Sequence, residues 1–163
     1  MKAYVVDTNV AVVASGRSVQ AGLGCISACI DALEEIVNNG VLIVDDGGRI
    51  LREYMDHLSL SGQPGPGDAF LKWVWSVQAT ERVIKTEITP QGLDDDDFSE
   101  FPSDPALETF DRSDRKYVAV ALSSKQNPEV LNAVDSDWWI LREALKKHGI
   151  RLVFLCPEQF SED

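Results

Sequence analysis

The amino-acid sequence predicts an α/β fold: parallel strands joined by right-handed helical crossovers and covered by helices on both faces. Short apolar runs alternate with stretches of helical periodicity along the whole chain. Two of those runs, "YVVD" and "LNAVDSD", end abruptly on aspartates. No internal repeat and no long linker interrupts the pattern, so residues 1–160 are expected to form a single domain.

The elements follow in order. "AYVVD" (3–7) is the first strand, apolar until Asp7 stops it. In "CISACIDALEEIVNNG" apolar residues recur at Ile26, Cys29, Ile30, Leu33 and Val37, a helical stripe that Gly40 is placed to end. "VLIV" (41–44) is a second strand, and "GGRILREYMDHL" a helix with Ile50, Tyr54 and Leu58 on one face. The turn-rich "SGQPGPG" (61–67) separates it from the helix "DAFLKWVWSVQ", with Phe70, Trp73, Val74 and Val77 inward. "RVIKTEI" (82–88) is a third strand, followed by the long acidic stretch "TPQGLDDDDFSEFPSDPAL", which has no period. "DRKYVAVALSS" is a helix, "LNAV" (131–134) a strand, "DWWILREALKKHG" a helix closed by Gly149, and "RLVFLC" (151–156) the last strand.

At 163 residues, with 44% hydrophobic and 26% charged residues, the chain is expected to be globular, with a sizeable core. No window approaches the roughly 20 apolar residues that a spanning helix needs. The first apolar run meets Asp7 too early for a secretory signal, so no membrane partner and a cytoplasmic location are expected. Cys25, Cys29 and Cys156 make an odd count without metal-type spacing, and small core residues of a reduced protein are expected. A net charge of −12 argues against a broad basic surface for nucleic acid. It does not exclude a nucleic-acid enzyme whose metal ions supply positive charge locally.

The aspartates at strand ends have company. Asp7 follows one strand, Asp135 and Asp137 follow another, a helix begins near Asp114, and a further helix carries Glu53 in its first turns. These positions allow convergence at one edge of the sheet. Packed carboxylates repel and raise one another's pKa, so such a cluster is costly unless a cation neutralises it. Oxygen-only ligands suit Mg²⁺ or Mn²⁺, and those ions on a few carboxylates are the machinery of phosphodiester hydrolysis.

Four stretches resemble the motifs of PIN-domain nucleases. "YVVDTNV" is similar to that family's opening strand, "ILREY" to its helical Glu, "SDRKYVAVAL" to its third motif, and "NAVDSDWW" to its fourth. Together they span residues 4 to about 155. The resemblance implies a three-layer α/β/α sandwich around a parallel sheet and a Mg²⁺- or Mn²⁺-dependent endoribonuclease. Asp7, Glu53, Asp114 and Asp135 would be its catalytic, metal-holding residues, with Asp137 in support. Thr8 and Asn9 would hold the Asp7 loop through hydrogen bonds. Arg112, Arg115 and Lys116 would either anchor the RNA backbone or form surface ion pairs. The Pro/Gly loop after "LREYMDHL" and the acidic insertion at 94–104 depart from the minimal family pattern. Left open are a toxin silenced by an antitoxin, another protein partner, a homodimer, and a catalytically weak PIN-like scaffold that binds RNA or protein.

Other readings compete residue by residue. Asp111 fits a helix cap better than Asp114 does, and of Asp135 and Asp137 one is expected to cap a helix while the other faces the metal. His57 and His148 lack evident partners and read as helix-surface residues. The four tryptophans read as core or interface. "LDDDDFSEF" lacks the Gly and the final Glu of a calcium loop and reads as a solvated, mobile segment. "VLIVDDGGRILREYM" imitates a phosphoacceptor receiver, but no apolar strand leads to a later phosphoacceptor, and Asp45 and Asp46 read as a turn with Asp46 capping the Glu53 helix. A haloacid-dehalogenase pattern fails because Asn9 stands where its second acid belongs, and "SGQPGPGD" lacks the Lys-Ser/Thr of a P-loop.

Overall fold

Five strands, β1 (Lys2–Val6), β2 (Gly40–Asp45), β3 (Val83–Thr86), β4 (Glu129–Asn132) and β5 (Arg151–Phe154), form one all-parallel sheet in the order β3-β2-β1-β4-β5. The computed structural model describes residues 1–61 and 64–160; positions 62 and 63 of the turn-rich break lie outside them. Val5 and Val6 of β1 and Leu42 and Ile43 of β2 are fully buried, as continuous apolar runs are when both faces of a parallel sheet are covered. Helices α1 (Thr8–Ala14), α2 (Leu23–Asn39) and α4 (Pro66–Val77) pack on one another, while α5 (Arg115–Ser123) lies across β2, β1 and β4. Right-handed crossovers that run outward from β1 to β2 and β3, and back across the sheet from β3 to β4, put these two groups on opposite faces. The result is the expected three-layer α/β/α sandwich. Among the described residues no helix is long and apolar enough to cross a membrane.

Three local differences from the expected elements have physical causes. Helix α1 is invisible to periodicity because "NVAVVA" is apolar almost throughout, and Val10, Ala11, Val13 and Ala14 are all buried. Strand β4 ends two residues earlier than expected because Asn9 Oδ1 takes the N–H of Ala133 at 2.9 Å, turning the chain out of the sheet. The last helix is interrupted at Leu141 into α6 (Ser136–Ile140) and α7 (Arg142–Lys147), with Gly149 at φ 93° closing it as expected. Helix α3 (Arg49–His57) buries Ile50 and Tyr54, and Leu58 is buried at its C-cap, as predicted. Its N-cap residue is Gly48, and the carboxylate that serves its first turn is Asp45, not Asp46: Asp45 accepts from the N–H groups of Arg49 and Ile50 at 3.0 and 2.9 Å.

The cysteines are buried, but two of them are not free thiols. Cys25 and Cys156 form a disulfide across a sequence separation of 131, leaving Cys29 as a buried thiol beside it. Nothing in the spacing pairs them; α2 and the chain leaving β5 do.

The acidic segment is likewise not a free loop. Asp95 pairs with Arg49 at 2.8 Å, Asp96 with Arg112 at 3.0 Å and Asp97 with Arg115 at 3.1 Å. Phe98 and Phe101 are buried, and Ser99 N–H bonds Thr89 O at 3.0 Å across a tight reversal. His148, which looked partnerless, meets Asp104 at 2.8 Å at the end of the same segment. A segment dense in Asp is therefore held by arginines far away in sequence and by two aromatic anchors.

Two outcomes follow from this packing. Phe98→Ala is expected to lower unfolding stability in urea by about 3–5 kcal/mol, the range for emptying a core aromatic site; a change under about 0.5 kcal/mol would mean the segment is merely solvated. Reducing the Cys25–Cys156 bond is expected to cost about 2–4 kcal/mol, and identical denaturation curves with and without dithiothreitol would contradict the bond.

Candidate metal centre

Strand order reverses between β1 and β4: from β1 the chain builds outward to β2 and β3, then returns to the other side for β4 and β5. Crossovers diverge at such a switch point, leaving a crevice above the carboxyl ends of the strands. Asp7 stands at the end of β1, and Asp135 three residues beyond β4. Asp114 enters from the 3₁₀ turn Arg112–Asp114 that leads into α5. One carboxylate oxygen of each of the three lies within 4.8 Å of the others.

Local chemistry explains why the aspartates hold these positions. Asp7 caps α1 through Oδ1, which accepts from the N–H of Asn9 at 3.0 Å. Its Oδ2 accepts from the indole N–H of Trp138 at 2.9 Å. Asp135 caps α6 by accepting from the N–H of Asp137 at 3.0 Å, while also joining the cluster. Capping and site membership are therefore one role for Asp7 and Asp135, not rival ones. Asp137 is outside the three and is not on the cavity wall, contrary to its expected support of Asp135 at the metal. Asp111 is exposed and caps the 3₁₀ turn, accepting from the N–H and hydroxyl of Ser113 at 3.0 and 2.9 Å.

Among the described residues four aspartates are buried, and their partners divide them. Asp45 has the Arg49 guanidinium at 3.0 Å, and Asp68 has Arg17 at 2.7 Å with the N–H groups of Ser59 and Gly65. Asp7 and Asp114, 4% and 6% exposed, have no basic partner among the described residues. Burial pushes the Asp7 carboxyl up to about 7, Glu53 and Asp135 adding to the rise while Asn9 and Trp138 oppose it. Burial also pushes Asp114 up to about 10, reinforced by the charges of Asp7 and Asp135. Structural acids in this protein are given cations; these two are given other acids.

Glu53 is on the wall of the same cavity but outside the trio, a departure from the expected four-acid set. Its Oε2 accepts from the hydroxyls of Thr8 and Tyr117, and its Oε1 from Lys116 at 2.8 Å. Burial works against its charge, but Lys116 and the two hydroxyls outweigh it and hold the carboxyl below its usual range. Thr8 thus serves Glu53 rather than Asp7. Lys116 is taken by Glu53, Arg112 by Asp96, and Arg115 by Asp97 and the carbonyl of Glu108, so all three basic candidates stand in ion pairs. Asn9 spends Oδ1 on Ala133, and its Nδ2 is buried without a partner among the described residues.

Trp138, Tyr117 and Asn132 belong to the site without having been expected there. Asn132 reaches Asp7 Oδ2 at 3.5 Å and accepts from the N–H of Asp135 at 3.2 Å. The one available signal for Trp138 was its place in the turn after Asp135, since a buried indole N–H requires an acceptor. The crevice is a cavity of about 570 Å³, and exposed His57 also stands on its wall.

No protein-family model, curated protein or solved structure matches this chain. The donor set itself fits a hard divalent cation: three carboxylates, no sulfur, and mutual distances a single ion can bridge.

The shifted carboxyls set a pH dependence. Unfolded, each Asp ionises near 3.8; folded, Asp7 keeps its proton to about 7 and Asp114 to about 10. The stability linked to them is therefore complete below pH 3.8 and is lost as pH rises through about 7 and then about 10. In EDTA at alkaline pH, Asp114→Asn is expected to raise the melting temperature by about 2–4 °C or more and to flatten this decline. A lower melting temperature with an unchanged pH profile would refute the assignment.

Proposed function

We propose that this chain is a divalent-metal-dependent ribonuclease of the PIN-like type, with Asp7, Asp114 and Asp135 holding Mg²⁺ or Mn²⁺. The observation that carries the reading is that, among the described residues, the buried Asp7 and Asp114, grouped with half-buried Asp135 in the switch-point crevice, have no basic partner, when the other buried aspartates have arginines. The motif resemblance of the same residues to PIN-domain nucleases supports the choice of RNA as substrate.

When bound, such a cation lowers the pKa of a coordinated water and neutralises charge on phosphate oxygens. The chain's own residues do the rest. Trp138 and Asn9 fix both oxygens of Asp7, so its orientation is set before substrate arrives. The unpartnered Asn9 Nδ2 supplies a neutral N–H for a water or a phosphate oxygen. Glu53, ionised and held by Thr8, Tyr117 and Lys116, adds negative potential at the wall of the cavity.

Cleavage of single-stranded RNA with Mn²⁺ tests the reading. Asp114→Asn is expected to lose activity by about a hundred-fold or more. Asp111→Asn is expected to stay near the wild-type rate, because Asn is an equally good cap for the turn. Full activity in Asp114→Asn, or a loss confined to Asp111→Asn, would show the third carboxylate to be the wrong residue; inactivity of the wild type itself would leave a binding scaffold.

A further inference from the structure

We propose that the cavity seats one unpaired nucleobase on the ring of Phe160. The proposal rests on the nuclease reading for the identity of the polymer. Phe160 is on the cavity wall with Asp7, Asp114 and Asp135. Its ring is parallel to that of Trp139, with centroids 4.8 Å apart and an interplanar angle of 1°. The Arg142 guanidinium lies 4.0 Å from the Trp139 centroid, and Phe154 meets both rings edge-on at 5.1 and 5.8 Å. The disulfide at Cys156 ties the chain just before Phe160 to α2. Phe160 is thus a ring held in a stack at the border of the crevice.

The composition of the wall decides between reading phosphates and reading bases. Asp7, Glu53, Asp111, Asp114 and Asp135 all line the cavity, and no Lys or Arg does among the described residues. A polyanion gains no basic contact here and meets repulsion that only a bound cation relieves. Aromatic stacking is the attraction the wall itself supplies, and it is sequence-tolerant because every base has a π-face. Gln20 and Gln159, exposed on the same wall, bring neutral amides suited to the edges of a base. A volume of about 570 Å³ accommodates a nucleotide-sized ligand. A paired base is already stacked on both faces, so the seat takes one from a single strand.

The test is equilibrium binding, in Mn²⁺, of a single-stranded RNA of about six nucleotides carrying 2-aminopurine at each position in turn. Wild type is expected to quench the probe at one position, with a log Kd against log salt slope below about one. Phe160→Leu, which keeps apolar bulk without the π-face, should weaken binding by roughly ten-fold, whereas Phe160→Tyr should retain it. An abasic residue at the quenched position should erase the difference between wild type and Phe160→Leu. Annealing the strand to its complement should weaken wild-type binding by a similar roughly ten-fold factor. Equal binding by wild type and Phe160→Leu, equal binding of paired and unpaired strands, or no binding by wild type would each overturn the proposal. Phe160-dependent binding by a wild type that cleaves no RNA would overturn the nuclease reading and leave this one standing. Cleavage whose KM does not change in Phe160→Leu would do the reverse.

Discussion

Mutual repulsion among Asp7, Asp114 and Asp135 is the constraint around which this protein is arranged. A buried carboxylate normally costs several kcal/mol unless paired, and the protein follows that rule at Asp45 and Asp68 by supplying Arg49 and Arg17. At the switch point it does not. Neutral donors orient Asp7, burial and neighbouring acids raise Asp7 and Asp114, and the ammonium of Lys116 is committed to Glu53. The energy stored in that arrangement can be released by protons or by a cation, which couples stability, pH and ion binding at one place.

The fold delivers this constraint economically because capping, strand termination and site geometry share residues. Asp7 ends β1, caps α1 and joins the cluster; Asp135 caps α6 and joins the cluster. Asn9 draws Ala133 out of the sheet, which sets where β4 releases the chain towards Asp135. Trp138, in the helix that Asp135 caps, reaches back to Asp7 across a sequence separation of 131. Two strand ends are thereby cross-linked at the crevice. On the α5 side the Arg112–Asp96 and Arg115–Asp97 pairs and the buried Phe101, stacked on Phe110, brace the turn that presents Asp114.

What could be read from the sequence is what local pattern encodes. The apolar runs that stop at Asp7 and precede Asp135, and the stripe Ile50, Tyr54, Leu58, are visible because burial imposes a period of their own element. Helix α1 was not visible, since a segment buried on all sides has no polar face to reveal its turn. The remaining differences are side-chain contacts between distant segments: Cys25 with Cys156, Asp96 with Arg112 across a reversal, His148 with Asp104, and Glu53 with Thr8, Tyr117 and Lys116. No spacing rule contains such contacts, because topology and not sequence proximity creates them. The three central acids were legible as positions at element junctions; which acid stayed outside, Glu53 or Asp137, depended on partners that only folding brings near.

The most direct measurement is a calorimetric Mn²⁺ titration below pH 7, repeated in buffers of different protonation enthalpy. If Asp7 and Asp114 share a site with raised carboxyls, the ion must displace their protons. Release of about two protons per ion is expected, falling towards one as the pH is raised past the titration of Asp7. Binding heats that are the same in every buffer, or no binding at all, would contradict the account.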